Sequence, residues 1–129
     1  MVQTDNQTKG KIEVVLGLLC ENMTRAFYVS AQETAKLYLT NHRTIEQIAK
    51  IRGLASSTII HHLVMWYIAT DDINPNDFVT RREQQYILVA MAKAKNYQYL
   101  SEIKAHLPEQ ITYEKIKWVI AKIHKISLR

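Results

Sequence analysis

Residues 44–63 read TIEQIAKIRGLASSTIIHHL, and this stretch predicts two helices joined by a tight turn. Thr44 followed three residues later by Gln47 has the spacing of a capping box, which begins a helix. Gly53 stands where this helix must end, because glycine adopts the left-handed backbone conformation without strain. Leu54 is expected to fill the corner between the two helices. The stretch therefore has the pattern of a helix-turn-helix.

The second helix of this motif begins after the glycine turn. Ser56 or Ser57 is expected to cap it, because a hydroxyl at this position satisfies a free backbone N–H group. Ile59 and Leu63 lie four residues apart and place an apolar stripe on one face. In many helix-turn-helix proteins the second helix lies in the major groove of DNA. The residues on its outer face are therefore the first candidates for a functional site.

Composition predicts an all-α fold, a compact multi-helix domain of about six helices. The chain has 129 residues, only three glycines and two prolines, and 47% apolar residues. This length is enough for one domain with a hydrophobic core. Residues 1–29 are expected to form a polar tail and a linker or packing helix, and residues 30–129 the helix-turn-helix domain.

Apolar residues at helical spacing predict the remaining helices. Ser30 with Glu33 and Thr80 with Glu83 are further capping boxes, and Thr112 is expected to cap the last helix. Residues 70–77 are dense in turn-forming residues and are expected to form a loop. A short β-ribbon near Ile111 is an alternative that the sequence does not decide. The helices outside the 44–63 motif are predicted over approximate ranges 11–27, 30–40, 80–94, 97–106 and from 112 onward.

The sequence offers no catalytic motif. Its three glycines cannot build a phosphate-binding loop or a dinucleotide-binding turn, so no enzyme activity and no cofactor are expected in this chain. The adjacent His61 and His62 point about 100° apart on a helix, which makes a shared metal ion a poor prediction. The single cysteine, Cys20, is expected to be a buried thiol rather than a nucleophile. Without a signal peptide or a bilayer-spanning run, a cytoplasmic, nucleoid-associated protein without a membrane partner is expected.

The distribution of charge complicates a simple DNA-reading interpretation. The net charge of +5 favours an anionic partner such as nucleic acid. Between Arg52 and Arg81, however, there is no lysine or arginine. Phosphate contacts supply most of the nonspecific affinity for DNA, so the second helix of the motif is expected to supply little of it. Residues 93–129 hold eight basic and three acidic residues.

The outer face of the second helix combines polar and apolar residues. Ser57, Thr58 and His61 are candidates for contacts with a phosphate or a base edge. Ile60 and Val64 are also predicted to face outward. Ile60 would reach a thymine methyl group, or both side chains would pack on another element or a partner chain. Both interpretations stay open at this point.

The last predicted helix carries basic residues at spacings of three and four, so they share one face. A basic stripe with one aromatic residue is typical of a surface that follows a nucleic-acid strand, with the ring stacked on a base. The alternative is a solvated face whose tryptophan packs against a neighbouring helix. Arg81 and Arg82 in the first turn of another helix oppose its dipole, a cost that an anionic partner would offset. The candidate stripe consists of Lys115, Trp118, Lys122, Lys125 and Arg129.

Several motifs in order resemble one known family. They are SAQETAKLYLTNHRTIEQIAKIRGLASSTIIHHL, the loop DDINPNDFV and the late run LPEQITYEKIKWVIA, which together cover roughly residues 30–122. They are similar to the helix-turn-helix domain at the C-terminal end of bacterial RecQ-type DNA helicases. The resemblance implies an accessory module of an ATP-dependent enzyme that unwinds DNA in repair or recombination. ATP and magnesium would then belong to an upstream motor.

Two functions from different classes follow for the chain. The first is a domain that binds single-stranded, forked or duplex DNA, through the candidate residues named above. The second is a protein-interaction module with a degenerate helix-turn-helix. It would contact another domain of the same protein or a separate protein partner through the apolar outer face of residues 57–64.

Overall fold

A computed structural model describes residues 24–94 and 100–127, and this part of the chain is all-α. It contains six α-helices and one short 3-10 helix, and no strand lies within these ranges. The predicted fold class is therefore confirmed. None of these helices is long and apolar enough to cross a membrane. The α-helices are α1 (Arg25–Leu39), α2 (Ile45–Arg52), α3 (Ser56–Ala69), α4 (Arg81–Lys93), α5 (Leu100–Lys104) and α6 (Tyr113–Ser127).

The described residues fall into two units. The first, here called the helix-turn-helix unit, contains residues 24–74 and therefore α1, α2 and α3. The second, the C-terminal unit, contains residues 75–94 and 100–127, with the 3-10 helix Pro75–Asp77 and α4, α5 and α6.

The beginning of α1 differs from the sequence-based prediction. Thr24 caps the helix, and its hydroxyl accepts a hydrogen bond of 3.1 Å from the backbone N–H of Phe27. Ser30 and Glu33 therefore lie inside a helix that continues through the predicted break, so the predicted capping box at Ser30 is wrong. Most of the predicted helix over residues 11–27 lies outside the described residues. The end of α1 near Thr40 is confirmed.

The turn between α1 and α2 depends on a residue in the left-handed conformation. His42 has a φ of 54°, and the backbone N–H of Arg43 donates to the carbonyl of Leu37 over 3.1 Å. This bond pattern closes a helix end by satisfying a carbonyl that has no partner within the helix. This turn separates the helix predicted over residues 30–40 from the one predicted to begin at Thr44.

The centre of the motif folds as its sequence predicts. The Thr44 hydroxyl accepts from the Gln47 backbone N–H, and the Gln47 side chain accepts from the Thr44 N–H, which completes the capping box. Gly53 ends α2 with a φ of 65°. The predicted cap of α3 is wrong, because Ala55 holds that position and makes no side-chain hydrogen bond. Ser56 is instead the first residue of the helix.

The C-terminal half of α3 is the most buried segment of the unit. All six residues from His62 to Tyr67 are buried. Six consecutive positions point to every side of a helix, so residues 62–67 have no face that is exposed to solvent. A helix that is buried on all sides is a core element, and only its first turns can present side chains to a ligand.

The C-terminal unit is organised by α4 and α6. Thr80 and Glu83 form the predicted capping box at the start of α4. Ile87, Ala90 and Met91 are buried on its inner face. The predicted helix over 97–106 is present as the shorter α5, and residues 97–99 lie outside the described residues. The core of this unit contains Val79, Ile87, Ile103, Ile116, Trp118 and Ile120, all with at most 1% of their surface exposed.

Candidate nucleic-acid interface

Arg52 is the last cation before the long basic-free segment, and its side chain is turned into the protein. Only 14% of the side chain is exposed. Its guanidinium donates to the Ser30 carbonyl over 2.7 Å, to the Ser30 hydroxyl over 3.0 Å and to the Glu33 carboxylate over 3.1 Å. It also donates to the Thr34 hydroxyl. Arg52 therefore joins the end of α2 to α1, and little of its charge is left for a nucleic acid.

The Thr34 hydroxyl connects Arg52 to His62, a residue of α3. Its oxygen lies 2.8 Å from Nδ1 of His62. A guanidinium can only donate hydrogen bonds, so the hydroxyl accepts from Arg52. A guanidinium nitrogen of Arg52 also lies 3.4 Å from Nδ1 of His62, which favours a ring nitrogen without a proton there and a hydroxyl that donates to it. Nδ1 is then the acceptor, and the neutral ring carries its proton on Nε2. The chain of Arg52, Thr34 and His62 links all three helices of the unit through buried polar groups.

The surroundings of His62 favour this neutral form. Burial, followed by the positive charge of Arg52 and by the neighbouring His61, lowers the pKa of His62 to about 4. Phe27 packs edge-on against both histidine rings, with centroid distances of 5.4 Å to His61 and 5.2 Å to His62. His62 is therefore a structural residue of the motif. No group of three or more metal-ligating side chains occurs within residues 24–94 and 100–127.

The predicted contact residues on α3 differ in accessibility. Ser57 is exposed at the beginning of the helix, and Thr58 is half-buried. His61 is also half-buried, with its ring against Phe27. At the beginning of α3, Ser56 and Ser57 therefore present their hydroxyl groups at the surface.

The predicted outward face of α3 is wrong at Val64. This side chain has 0% of its surface exposed, and Ile60 is half-buried. The physical reason is that the helix is buried on all sides from His62 to Tyr67, so the predicted outer face ends before Val64. The apolar pair that the protein-interaction hypothesis used is not an exposed patch.

Trp118 is also not available for stacking on a base. It is 1% exposed, and its ring lies parallel to that of Phe78, with the centroids 4.5 Å apart and the planes 3° from parallel. Phe78 belongs to the segment that connects the 3-10 helix to α4. The prediction that Trp118 contacts a nucleic acid is therefore wrong, because an aromatic ring from a preceding segment already occupies its face.

Two lysines of the same stripe are bound to neighbouring side chains. Lys115 forms an ion pair with Glu83, and Nζ of Lys122 donates to Oε1 of Gln84 over 2.8 Å. Burial acts to raise the pKa of Glu83, but hydrogen bonds from Lys115 and Thr80 outweigh it and hold the pKa below its usual range. The predicted strand-following face is thus mostly a contact of α6 with α4.

The other predicted cations have mixed positions. Lys125 is half-buried, and Arg129 lies outside the described residues. Arg81 and Arg82 are both exposed, and the Arg82 guanidinium lies over the Tyr86 ring, 6.0 Å from its centroid. The exposed cations among the described candidates are therefore Arg81 and Arg82, both at the beginning of α4.

Sequence reasoning missed the exposed cations of the helix-turn-helix unit. Lys50 lies on the exposed side of α2, two residues from the buried Ile48. This position follows from the helical period once Ile48 is placed in the core. In a helix-turn-helix the first helix crosses the DNA backbone, so a cation on it is well placed for phosphates. The other exposed cations of the unit are Arg25, Lys36 and Arg43.

Comparison with known proteins adds one match. Residues 30–120 match the family described as a helix-turn-helix domain, a span that runs from α1 into α6 and covers more than half of the chain. No curated protein and no solved structure matches the chain significantly. At a coarse level this architecture indicates nucleic-acid binding. The chain belongs to the helix-turn-helix domain family.

Proposed function

We propose that this chain binds DNA as an accessory domain of a RecQ-like helicase, through the beginning of α3 and the exposed side of α2. The observation that carries the binding proposal is the geometry of the motif. The positions of α2 and α3 are set by a complete capping box at the start of α2, by the left-handed Gly53 between them and by the polar link to α1. In this arrangement the first turn of α3 lies at the surface. This turn carries no side-chain cap, and the N–H of Thr58 donates to the Ala55 carbonyl, so the backbone N–H groups of Ser56 and Ser57 are the ones that would meet a phosphate.

The surrounding side chains fit a polyanion. Ser57 supplies an exposed hydroxyl, which binds phosphate or a base edge. Lys50 supplies a positive charge on the neighbouring helix. Because the motif contains few accessible cations, we propose weak binding in which the domain supports a larger enzyme rather than selecting a sequence alone.

The helicase context rests on the ordered sequence motifs that resemble the C-terminal domain of RecQ-type enzymes. In this context the chain itself contributes no catalysis and holds no cofactor. The hydrolysis of ATP, with its magnesium ion, belongs to a motor outside these 129 residues. Repair and recombination are the processes that such an enzyme serves.

Fluorescence anisotropy with labelled single-stranded, forked and duplex DNA at low salt tests the binding proposal. Lys50→Glu reverses a charge next to the proposed contact and is expected to weaken binding by roughly tenfold, a loss typical of an important interface residue. Ser57→Glu places a negative charge at the open helix start and is expected to weaken binding to a similar extent.

The matched control is Lys93→Glu, which makes the same charge change at an exposed position of α4. It is expected to leave the affinity within about twofold, since α4 is not part of the proposed contact and solvent screens an exposed charge. An unchanged affinity in Lys50→Glu and Ser57→Glu would refute the proposed interface. Absence of any binding to all three DNA forms at low salt would refute the function itself.

A further inference from the structure

The exposed side of α4 has a composition unlike that of an ordinary solvated helix. Three of the seven large apolar side chains that are exposed among the described residues lie within two turns of this helix. They are Tyr86 at 46%, Leu88 at 46% and Val89 at 54% exposure. Single exposed apolar residues are common, but adjacent ones on one face indicate a contact surface.

The helical period arranges these residues in two neighbouring columns. One column contains Arg82, Tyr86, Val89 and Lys93, and all four are exposed. The second column is equally exposed and contains Arg81, Gln85, Leu88 and Ala92. The opposite side of α4 carries its buried residues and Glu83. The two columns, here called the α4 face, extend along about 20 Å of helix.

The charge on the α4 face has one sign. Arg81 and Arg82 lie at its N-terminal end and Lys93 at its C-terminal end, while no aspartate or glutamate lies among its eight residues. The acidic residue nearest in sequence, Glu83, points to the other side and is paired with Lys115. An apolar centre between cationic ends is complementary to an apolar stripe bordered by carboxylates.

We propose that the α4 face is a docking surface for an acidic amphipathic helix of a partner protein. Two aliphatic side chains at the centre favour a protein over a nucleic-acid strand, because leucine and valine offer no ring on which bases stack. The single aromatic ring, Tyr86, already has the Arg82 guanidinium over one face. An apolar stripe of leucines packs on Leu88 and Val89, and flanking glutamates pair with the arginines and Lys93. This surface belongs to the C-terminal unit, whereas the proposed DNA contact lies on α2 and α3 of the helix-turn-helix unit.

The test uses the full chain and a synthetic fluorescent peptide of about 18 residues, which covers the length of α4 as a helix. The probe has leucines at helical spacing on one face and glutamates elsewhere. The wild-type chain is expected to bind it, with affinity that falls as salt is raised. Replacing the glutamates by lysines is expected to abolish binding. Absence of binding to the acidic peptide, or equal binding of the basic one, overturns the proposal.

Variants locate the contact. We expect each of three variants to weaken peptide binding by roughly tenfold: Leu88→Gln, Val89→Gln and Arg82→Glu. Ile51→Gln is the matched control, because it removes an exposed apolar side chain, 57% exposed, on α2. It is expected to leave peptide affinity unchanged. If Ile51→Gln weakens binding as much as Leu88→Gln does, the peptide binds apolar surface without regard to the α4 face, and the proposal is overturned.

Two further measurements distinguish other occupants of the same face. If Leu88→Gln lowers the midpoint of thermal unfolding, another segment of this chain covers the face. If sedimentation velocity shows a wild-type dimer that Leu88→Gln dissociates, a second copy covers it. Either result overturns docking of a separate partner. The proposal is supported if Leu88→Gln gives a monomer of unchanged stability that no longer binds the acidic peptide. It is overturned if the chain binds a single-stranded oligonucleotide and Leu88→Gln weakens that binding.

Discussion

Arg52 shows how the tertiary environment changes the meaning of a single residue. In the sequence it is the last cation before a long segment without lysine or arginine. In the structure its guanidinium contacts Ser30, Glu33 and Thr34, so it stabilises the packing of α2 against α1, and Thr34 extends this network to His62 on α3. Buried polar groups with all partners present fix one arrangement of the elements around them, and the loss of one partner leaves the others unsatisfied.

His62 provides a test of this network through pH. The pKa of about 4 in the folded chain lies below the usual histidine pKa of 6.5. The unfolded chain therefore binds a proton near pH 6.5, while the folded chain stays neutral until about pH 4. Stability is fully present above pH 6.5 and is lost as the pH falls toward 4, by up to about 3 kcal/mol. Urea denaturation across this range measures the loss.

The control for this experiment uses a second histidine. His62→Gln is expected to flatten the pH dependence, since the titrating group is gone. His106 is exposed, and His106→Gln is expected to keep it. A wild-type chain whose free energy of unfolding stays constant between pH 7 and pH 4.5, within the usual extrapolation error of about 15%, would contradict the buried neutral histidine.

At the scale of elements, α6 is a core helix, although its sequence has the pattern of a charged ligand-binding face. Its lysines do recur at helical spacing, as the sequence predicts. Periodicity establishes which residues share a face but not what lies against it. Here Phe78, Glu83 and Gln84 lie against it, and each binds one member of the stripe.

Truncation of Trp118 tests this interpretation. Trp118→Ala removes a side chain that is 1% exposed together with its stack on Phe78, and is expected to cost about 3–5 kcal/mol of stability. Tyr113→Ala on the same helix removes a ring that is 42% exposed. It is expected to change the free energy of unfolding by less than about 0.5 kcal/mol. Urea denaturation of both variants measures the difference, and equal effects would place Trp118 at the surface.

At the scale of the whole molecule, net charge is a poor guide to affinity. The value of +5 counts all cations equally, but several of them are bound to acidic or polar side chains within the fold. Within the α2–α3 segment only Lys50 remains an exposed cation. The α2–α3 segment therefore presents far less positive charge than the composition of the whole chain indicates.

The salt dependence of DNA binding measures this usable charge. Each neutralised phosphate of duplex DNA contributes about −0.9 to the slope of log K against log salt concentration, so a contact with one or two phosphates predicts a slope of about −1 to −2. Anisotropy titrations at several salt concentrations give the slope, and Lys50→Glu is expected to reduce it by about one contact. A wild-type slope steeper than about −4 would show that cations outside this segment bind the DNA.

The sequence alone determined the local structure of this protein. The capping boxes at Thr44 and Thr80, the left-handed Gly53 and the apolar periodicity depend on neighbours within a few residues, and such interactions are readable from spacing. The RecQ context of the domain stays a prediction. Tertiary structure decided the partners of each helix face, because burial and pairing join residues far apart in sequence. It placed Val64 and Trp118 in the interior, bound Arg52 and Lys115 to acidic residues, and left the α4 face exposed.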